Sequence, residues 1–279
     1  MRRKGKQIYL LKKKFCEKQN DKRRRVNLLD THCHINDPLL NKETDKIVTN
    51  YLNAGVEKVI CIGCCPESNL DVIKLANKYE SVYCAVGVHP DDCYKYNAEE
   101  LENLLKNKNE KVIAVGEIGL DYYHTKENRQ EQIKVFESQI QLANKYKLPI
   151  VIHCRDAFGD TLEILKKYAP FKYGAVMHCY SGSLEFAREI IKLGLKISFT
   201  GTVTYKNALK VQEVAKNIPL NSFFFETDCP YLTPTPYRGQ RNEPMYVKEI
   251  YKFVADLRDL SVEEMEEIAD SNAKNFFKF

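Results

Sequence analysis

The sequence predicts a single α/β domain, a (β/α)8 barrel of the TIM type, with a short basic extension before it. Eight apolar runs rich in β-branched and aromatic residues recur roughly 20 to 35 residues apart. Amphipathic stretches with helical spacing lie between them. Strands that are apolar throughout must be covered on both faces, which favours parallel pairing, and a closed barrel is the most economical arrangement for 279 residues. A doubly wound open sheet is the alternative, but no GxGxxG motif follows the first strand.

The predicted strands, in chain order, are VNLLDTH, KVICIG, VYCAVGV, KVIAVGEIG, PIVIHC, GAVMHC, KISFTG and SFFFETD. Three of the intervening stretches carry clear helix signals. RQEQIKVFESQIQLANKYK has one apolar stripe, and SLEFAREIIKLG has a capping residue at Ser183 and a stop at Gly194. SVEEMEEIADSNAKNFF opens with Ser261 and Glu264 in capping-box spacing, so we expect a C-terminal helix there.

The positive charge of the chain is concentrated at its N-terminus. Residues 1–25 hold 12 Lys/Arg against Glu17 and Asp21, a net charge of +10, which leaves −5 for the other 254 residues. We therefore divide the chain into a basic, disordered and solvated extension (1–25) and a barrel domain (26–279). The extension could bind nucleic acid or an anionic membrane surface, or act as a targeting segment. We expect a cytoplasmic monomer without an integral membrane segment, although the extension leaves nuclear, organellar and exported locations open.

The ten cysteines do not predict a disulfide framework. Without a recognisable signal peptide, we expect free thiols in a reducing compartment. The CIGCC segment, residues 61–65, lacks a second CxxC partner, so it is not interpreted as a structural zinc site. Cysteine in apolar strand-like runs behaves as a small hydrophobe, and this interpretation covers Cys61, Cys64, Cys84, Cys154 and Cys179.

Polar residues recur at the predicted carboxyl ends of the strands. His32 and His34 end the first strand and, being two residues apart, point to the same face. In a barrel these ends meet at one rim, where active sites are assembled. The equivalent positions of later strands hold Glu117, His153 with Arg155, His178, and Glu226 with Asp228.

These strand ends predict a metal centre. One histidine after a strand has an ordinary structural explanation, but here four of the six histidines and two carboxylates share this position. The donor set is larger than one catalytic zinc needs and suits two divalent ions, of zinc, manganese or magnesium, about 3.5–4 Å apart. Two such ions lower the pKa of water toward about 7, which indicates hydrolytic chemistry. His32 and His34 would hold one ion with Asp228, and His153 and His178 the other, with Glu117 bridging.

Six motifs in this order resemble the TatD family of metal-dependent deoxyribonucleases, within the amidohydrolase-like barrels. They are DTHCH, GVHP, GEIGLDYY, LPIVIHCRDA, HCYSGS and ETDCPYLTPTPYRGQRNEP, and the resemblance covers about residues 26–279. It implies the same six metal ligands, with Asp228 taking the proton of the attacking water and Glu117 as the second catalytic carboxylate. It also implies DNA as the substrate, cut at phosphodiester bonds by 3'–5' exonuclease action on single strands. Asn36 departs from the family, whose members often have aspartate there.

Four further residues are expected to contact the substrate: His89, Arg155, Arg238 and Arg241. Arginine suits phosphate because its guanidinium makes bidentate contacts. Arg155 could equally form a buried ion pair that orients a ligand carboxylate, and a structural role is equally compatible with His89. Tyrosines could stack on bases, but with 17 in the chain none is singled out.

Two alternative functions stay open. The first is a related amidohydrolase-type enzyme acting on a small ester, lactone or amide. By resemblance, many such enzymes bridge their metals with a modified lysine at the fourth strand, whereas VIAVGEIGLD contains Glu117 and no lysine. The second is a non-catalytic nucleic-acid or membrane binder that works through the basic arm. The presence of all six ligand residues argues against an inactive site.

Overall fold

The computed structural model describes residues 28–278, so the expectation for residues 1–25 lies outside the described chain. Its eight strands pair in parallel and in sequential order, which confirms the predicted barrel architecture. The strands are β1 (Leu28–Cys33), β2 (Val56–Ile62), β3 (Val82–Val86), β4 (Val112–Asp121), β5 (Ile150–Arg155), β6 (Ala175–Met177), β7 (Lys196–Phe199) and β8 (Phe223–Phe225).

Helices connect the strands and cover the outside of the sheet. Within residues 28–278, none is both long and apolar enough to cross a bilayer. In chain order they are α1 (Thr44–Asn53), α2 (Pro66–Lys78), α3 (Ala98–Lys106), α4 (Arg129–Tyr146), α5 (Phe158–Tyr168), α6 (Leu184–Lys192), α7 (Leu209–Asn217), α8 (Val247–Leu257) and α9 (Val262–Phe277).

The helix starts follow the capping signals in the sequence. The side chain of Ser183 accepts a hydrogen bond from the backbone N–H of Phe186 and opens α6. At α9 the backbone N–H of Glu264 donates to Ser261 Oγ at 3.1 Å, and the N–H of Ser261 donates to the Glu264 carboxylate at 2.9 Å. Both predicted caps are therefore confirmed, because each satisfies backbone donors that the first helical turn leaves unpaired.

The barrel closes through hydrogen bonds just beyond β8. The backbone N–H of Asp228 donates to the carbonyl of His32 at 2.9 Å, and that of His34 donates to the carbonyl of Cys229 at 2.8 Å. The buried Asp30 carboxylate accepts from both the N–H and the hydroxyl of Thr227, at 2.9 and 2.6 Å. Closure therefore fixes the chain ends that carry the predicted ligands from β1 and β8.

Alternate strand residues build two apolar layers. One layer packs between the sheet and the helices, and the other fills the lumen of the barrel. Phe224 lies in the lumen, and its ring meets Phe276 and Phe277 of α9 at centroid distances of 5.4 and 5.6 Å. The C-terminal helix thus closes one end of the barrel. The opposite end, at the carboxyl termini of the strands, is left for the polar residues.

Candidate metal centre

His32 of β1 and His34, directly after this strand, face each other through their ring nitrogens. His34 Nδ1 lies 3.1 Å from the carbonyl oxygen of Ile62, which can only accept, so Nδ1 carries the proton and Nε2 carries the lone pair. That Nε2 is 3.1 Å from His32 Nε2. Two ring nitrogens at this distance need a proton or a cation between them, and the donor atoms present fit a divalent ion.

Asp228 completes this side of the centre. Its Oδ1 lies 3.4 Å from His34 Nε2 and 3.6 Å from His32 Nε2. Asp228 follows β8 by three residues, and the hydrogen bond between its N–H and His32 holds it against β1. The structure therefore brings together the first predicted group of ligands, two imidazoles and one carboxylate.

Glu117, from the middle of β4, lies between the two groups of histidines. Its Oε1 is 2.8 Å from His153 Nδ1 and 2.6 Å from His178 Nε2. Its other oxygen, Oε2, is 3.4 Å from His32 Nε2. One carboxylate oxygen thus faces each group, which is the arrangement that a bridging ligand requires.

Both carboxylates are held in the ionised form. Burial alone would raise the pKa of Glu117, but His178, His153 and His32 outweigh it and lower this pKa well below its usual range. Burial likewise opposes the charge on Asp228, and His34 and His32 outweigh it, so the pKa of Asp228 is also lowered. Carboxylate oxygen and imidazole nitrogen together are the ligand types of zinc and manganese centres.

Asp121 supports His153 and was not identified from the sequence. Its Oδ2 lies 3.0 Å from His153 Nε2, so the opposite ring nitrogen, Nδ1, faces Glu117. Asp121 Oδ1 accepts from the backbone N–H groups of Tyr123 and His124, both at 2.8 Å. Carboxylates that orient a ligand histidine in this way raise its basicity. The signal was present, because Asp121 follows Glu117 by four residues in one strand and therefore lies on the same face.

Glu226 lies beside His178. Its Oε1 accepts from the backbone N–H of Cys179 at 2.7 Å and lies 3.4 Å from His178 Nδ1. Glu226 follows the eighth strand, as the sequence predicts. It lies on the Nδ1 side of the His178 ring, whereas Glu117 lies on the Nε2 side. The rings of His178 and His32 are stacked, with centroids 4.1 Å apart, so the two groups of ligands form one cluster.

A glycine permits the close approach of β4 and β5. Gly119 has φ of +147°, and a Cβ on it would lie 2.0 Å from the carbonyl oxygen of His153. Gly119 is the register partner of His153. The second glycine of the GEIGLD motif therefore allows the strand carrying Glu117 to pack against the strand carrying His153.

His89 lies at the edge of this cluster. Its Nδ1 accepts from the backbone N–H of Asp91 at 3.2 Å, so the neutral ring carries its proton on Nε2, which is 3.7 Å from Glu117 Oε1. Burial, assisted by the neighbouring His153, lowers the pKa of His89 to about 3. At neutral pH this ring is an uncharged hydrogen-bond donor directed toward the centre.

The three predicted arginines occupy different surroundings. Arg155 is exposed, with its guanidinium 4.0 Å from the ring centroid of Tyr123, so the alternative of a buried ion pair is wrong. Arg238 stacks in the same way on Tyr205, at 4.2 Å. The guanidinium of Arg241 instead binds Glu43 at 2.8 Å and Glu243 at 3.1 Å, besides the carbonyl of Leu39. Arg241 is therefore occupied by local partners, whereas Arg155 and Arg238 are paired with aromatic rings.

One cysteine differs from its expected role. Cys33 packs in the layer between sheet and helices, and Cys154 Sγ lies 3.3 Å from Thr161 Oγ1 of α5, as the strand alternation predicts. Cys64, however, directs its sulfur toward the centre, 3.9 Å from Glu117 Oε2. The interpretation of Cys64 as a packing residue is wrong, because it lies beyond the end of β2, where the alternation of strand faces no longer applies.

Comparison with known proteins identifies the family. Residues 29–278 match a family model described as TatD related DNase. YabD of Bacillus subtilis (strain 168), described as an uncharacterized metal-dependent hydrolase, is 40% identical over 252 residues, with 90% of this chain and 99% of YabD covered. YcfH of Escherichia coli (strain K12), with the same description, is 34% identical over 254 residues, covering 90% of this chain and 95% of YcfH.

A solved structure supports the same assignment. The crystal structure of YjjV, a TatD homolog from Escherichia coli K12, superposes with a TM-score of 0.87 at 31% identity and covers 91% of this chain and 99% of YjjV. The family match spans nearly the whole barrel, including the strand ends that carry the clustered donors. The chain therefore belongs to the TatD-related DNase family and is a metal-dependent hydrolase.

Proposed function

We propose that this protein is a deoxyribonuclease that hydrolyses phosphodiester bonds, removing nucleotides from the 3' end of single-stranded DNA. The observation that carries this proposal is the position of Glu117, which presents one oxygen to each of two histidine groups. That arrangement suits two divalent ions, which bind both the attacking and the leaving oxygen of a phosphoryl displacement. The proposed ligands are His32, His34, Glu117, His153, His178 and Asp228.

Different side chains have separate roles in the proposed reaction. Bound ions of this kind lower the pKa of water and neutralise charge on the phosphate. The Asp228 carboxylate, ionised and partly open to solvent, accepts the proton of the attacking water. Asp121 keeps the ring of His153 in one orientation, so Glu117 and His153 need not reorganise during the reaction.

His89 and Arg155 are suited to contact the phosphate. The uncharged ring of His89 offers an Nε2–H that can donate to a phosphoryl oxygen without adding charge. Arg155 is the last residue of β5 and follows the proposed ligand His153 by two residues, so both side chains lie on the same face of the strand. Arg155 is exposed at the rim of the barrel. Its guanidinium can bind a phosphate in a bidentate manner while stacked on Tyr123.

The rim around the centre has the residues that a single strand of nucleic acid requires. Exposed tyrosines stand on the loops after β3, β4 and β8, namely Tyr94, Tyr123 and Tyr231. Basic side chains lie over rings on the same rim: Lys95 on Tyr94, Arg155 on Tyr123 and Arg238 on Tyr205. Unpaired bases stack on aromatic rings while cations contact the phosphates between them. A small ester or lactone would make no use of this extended surface.

A panel of substrates tests the proposal. The purified, metal-loaded protein is incubated with end-labelled single-stranded DNA, duplex DNA, RNA and a small carboxylic ester, with the His32→Ala variant and a chelator as controls. We expect stepwise shortening of single-stranded DNA from its 3' end, abolished in both controls. Hydrolysis of the ester without cleavage of any DNA would reject the nuclease and favour the amidohydrolase alternative.

A matched pair of tyrosine variants tests the rim. Tyr123→Ala should raise KM for an oligonucleotide by about 5- to 150-fold, because base stacking contributes about 1–3 kcal/mol per base. Tyr173→Ala is the control, since Tyr173 also lies under a lysine but belongs to the loop between α5 and β6, at the opposite end of the barrel. Equal effects of both variants, or an equal effect of Tyr123→Ala on a small phosphodiester, would reject this subsite.

A further inference from the structure

We propose that Cys64 is an additional ligand of the metal centre, and that its sulfur makes the centre prefer zinc over manganese and magnesium. The inference concerns which ion the protein holds and does not depend on its substrate. It starts from the segment that follows β2, where the chain continues through Gly63 and Cys64 toward α2. Like the other proposed ligands, Cys64 therefore lies at the carboxyl end of a barrel strand.

The sulfur of Cys64 lies beside the proposed ligand residues. It is 3.9 Å from Glu117 Oε2, a proposed ligand atom, and 3.9 Å from His34 Nδ1, the ring nitrogen that faces the carbonyl of Ile62. One donor atom from each of His34, Cys64 and Glu117 can be chosen so that all three lie within 4.8 Å of one another. In a tetrahedral zinc site, sulfur and oxygen ligands are about 3.6 Å apart, given bond lengths of about 2.3 and 2.1 Å. The separation of Cys64 and Glu117 is close to this value.

The backbone of Cys64 is held on both sides. Its N–H donates to Ser68 Oγ in the first turn of α2 at 2.8 Å, and its carbonyl accepts from the N–H of His89 at 2.8 Å. These two bonds link the position of the thiol to the loop that carries His89. The backbone that carries the sulfur is therefore fixed in position next to the metal centre.

The fully buried His32 directs its Nε2 toward the same part of the centre. This nitrogen is 3.4 Å from the Glu117 oxygen that Cys64 faces and 3.1 Å from His34 Nε2. A cation among these atoms would satisfy nitrogen, oxygen and sulfur donors together.

Binding of a thiol to the ion is a simple exchange. The S–H bond of Cys64 breaks, its proton leaves to solvent, and a sulfur–metal bond forms with no change in oxidation state. Thiolate ligands favour zinc, whereas manganese and magnesium favour carboxylate, carbonyl and water oxygen. Retaining the sulfur should therefore strengthen zinc binding more than manganese binding.

Cys65 provides a matched control. It is the next residue, but its sulfur lies 3.4 Å from Ser68 Oγ and does not face the ligand residues. X-ray absorption spectroscopy of the zinc-loaded protein should show sulfur at about 2.3 Å from zinc in the wild type and in Cys65→Ser. The sulfur signal should be absent in Cys64→Ser. A wild-type spectrum that contains only nitrogen and oxygen neighbours would overturn the proposal.

Metal competition gives a second readout that does not require activity. In Cys64→Ser and Cys64→Ala, we expect the preference for zinc over manganese to fall by at least about tenfold, with manganese affinity changed by less than about twofold. Cys65→Ser should keep the wild-type preference. An unchanged preference in both Cys64 variants, or an equal loss in Cys65→Ser, would contradict the assignment, whichever substrate the enzyme proves to cleave.

Discussion

At the scale of single residues, the ionised state of the centre depends on the contact between buried carboxylates and imidazoles. Burial alone would raise the pKa of Glu117, yet His178, His153 and His32 lower this pKa well below its usual range. Asp228 depends on His34 and His32 in the same way. Removal of one carboxylate or imidazole therefore leaves a buried group without its charge partner. Single substitutions in the centre should have large effects on activity and metal binding.

The first prediction concerns Asp228. Asp228→Asn keeps the shape of the side chain but removes the group that accepts the proton, so DNA hydrolysis should fall at least about 100-fold. His32→Ala should have a similar effect because it removes a ligand. Turnover is measured under saturating metal, and circular dichroism checks the fold. Asp71→Asn, on the exposed face of α2 beside Lys74, is the control. Near-normal turnover in either site variant would contradict the ligand assignment.

The second prediction concerns Asp121. Asp121→Asn should weaken zinc binding by about 10- to 100-fold, because an amide has one accepting oxygen and cannot accept both from His153 at Oδ2 and from the backbone N–H groups of Tyr123 and His124 at Oδ1. Affinity is measured by competition with a chelator. Asp160→Asn, which removes the surface partner of Arg129, should leave zinc affinity unchanged. Equal affinities for Asp121→Asn and the wild type would show that His153 needs no such support.

At the scale of elements, β4 supplies both a proposed ligand and the carboxylate that supports another ligand. Glu117 and Asp121 lie four residues apart on one face of this ten-residue strand, and Gly119 between them allows contact with β5. α9 contributes at the opposite end, where Phe276 and Phe277 close the lumen beneath Phe224. The metal centre and the opposite, closed end of the barrel thus depend on separate elements. Substitutions in β4 and in α9 can therefore be tested separately.

The cap of α9 gives a stability prediction. Ser261→Ala removes the side-chain acceptor for the N–H of Glu264 and should lower the free energy of unfolding by about 1 kcal/mol. For a domain of this size the melting temperature should fall by about 2–4 °C. Ser271→Ala, in the exposed middle of the same helix, is the control. A loss no greater than that of the control would mean that the capping box contributes little to stability.

Asp270 on α9 gives a prediction for pH. Burial raises its pKa from 3.8 to about 7, despite its hydrogen bond from Tyr251 and the charge of Lys274. The folded state therefore binds the proton more tightly than the unfolded state, so stability should decrease as the pH rises from about 4 to about 7. The pKa of Asp270 differs by roughly three units between the unfolded and folded states, so the loss of unfolding free energy is at most about 4 kcal/mol.

Asp270→Asn keeps an acceptor for Tyr251 but does not titrate. In this variant the decrease in unfolding free energy between about pH 4 and pH 7 should become smaller than in the wild type. Asp256→Asn, exposed on α8, should follow the wild-type curve. Chemical denaturation across this pH range is the measurement, and parallel curves for Asp270→Asn and the wild type would contradict the prediction.

At the scale of the whole molecule, charge is divided between the extension and the barrel. Residues 1–25 carry +10 and the rest of the chain −5. Lysine and arginine contacts to phosphates release counterions, so affinity for DNA should fall as salt rises, and part of this dependence should come from the extension. A chain that begins at residue 26 should show a shallower salt dependence of binding with an unchanged kcat. An identical slope for the two proteins would remove the extension from DNA binding.

The barrel could be predicted because its signals are local. Eight apolar runs separated by helical periodicity fix the number and kind of elements, and Ser183, Ser261 and Glu264 mark two helix starts correctly. The rule that parallel strand ends share one rim then brought His32, His34, Glu117, His153, His178 and Asp228 into one group. The structure places these six side chains together.

Other features could not be read from local signals. Asp121 lies on the same face as Glu117, but only its contact with His153 shows that it orients a ligand. Arg241 carries the same charge as Arg155, yet Glu43 and Glu243 occupy it. Cys64 looked like a packing residue until its loop directed the sulfur toward Glu117. In each case the role depends on a partner distant in sequence.

The sequence by itself determined the class of fold, the strand ends that carry donors and the kinds of atom they offer. These follow from periodicity, from the alternation of strand faces and from the chemistry of each side chain. Only the tertiary structure decided which donor faces which, because the position of Glu117 between two histidine groups depends on the closure of β1 onto β8 and the packing of β4 on β5. Distances of 2.8 and 3.4 Å between Glu117 and histidines more than 30 positions away are set by the whole barrel.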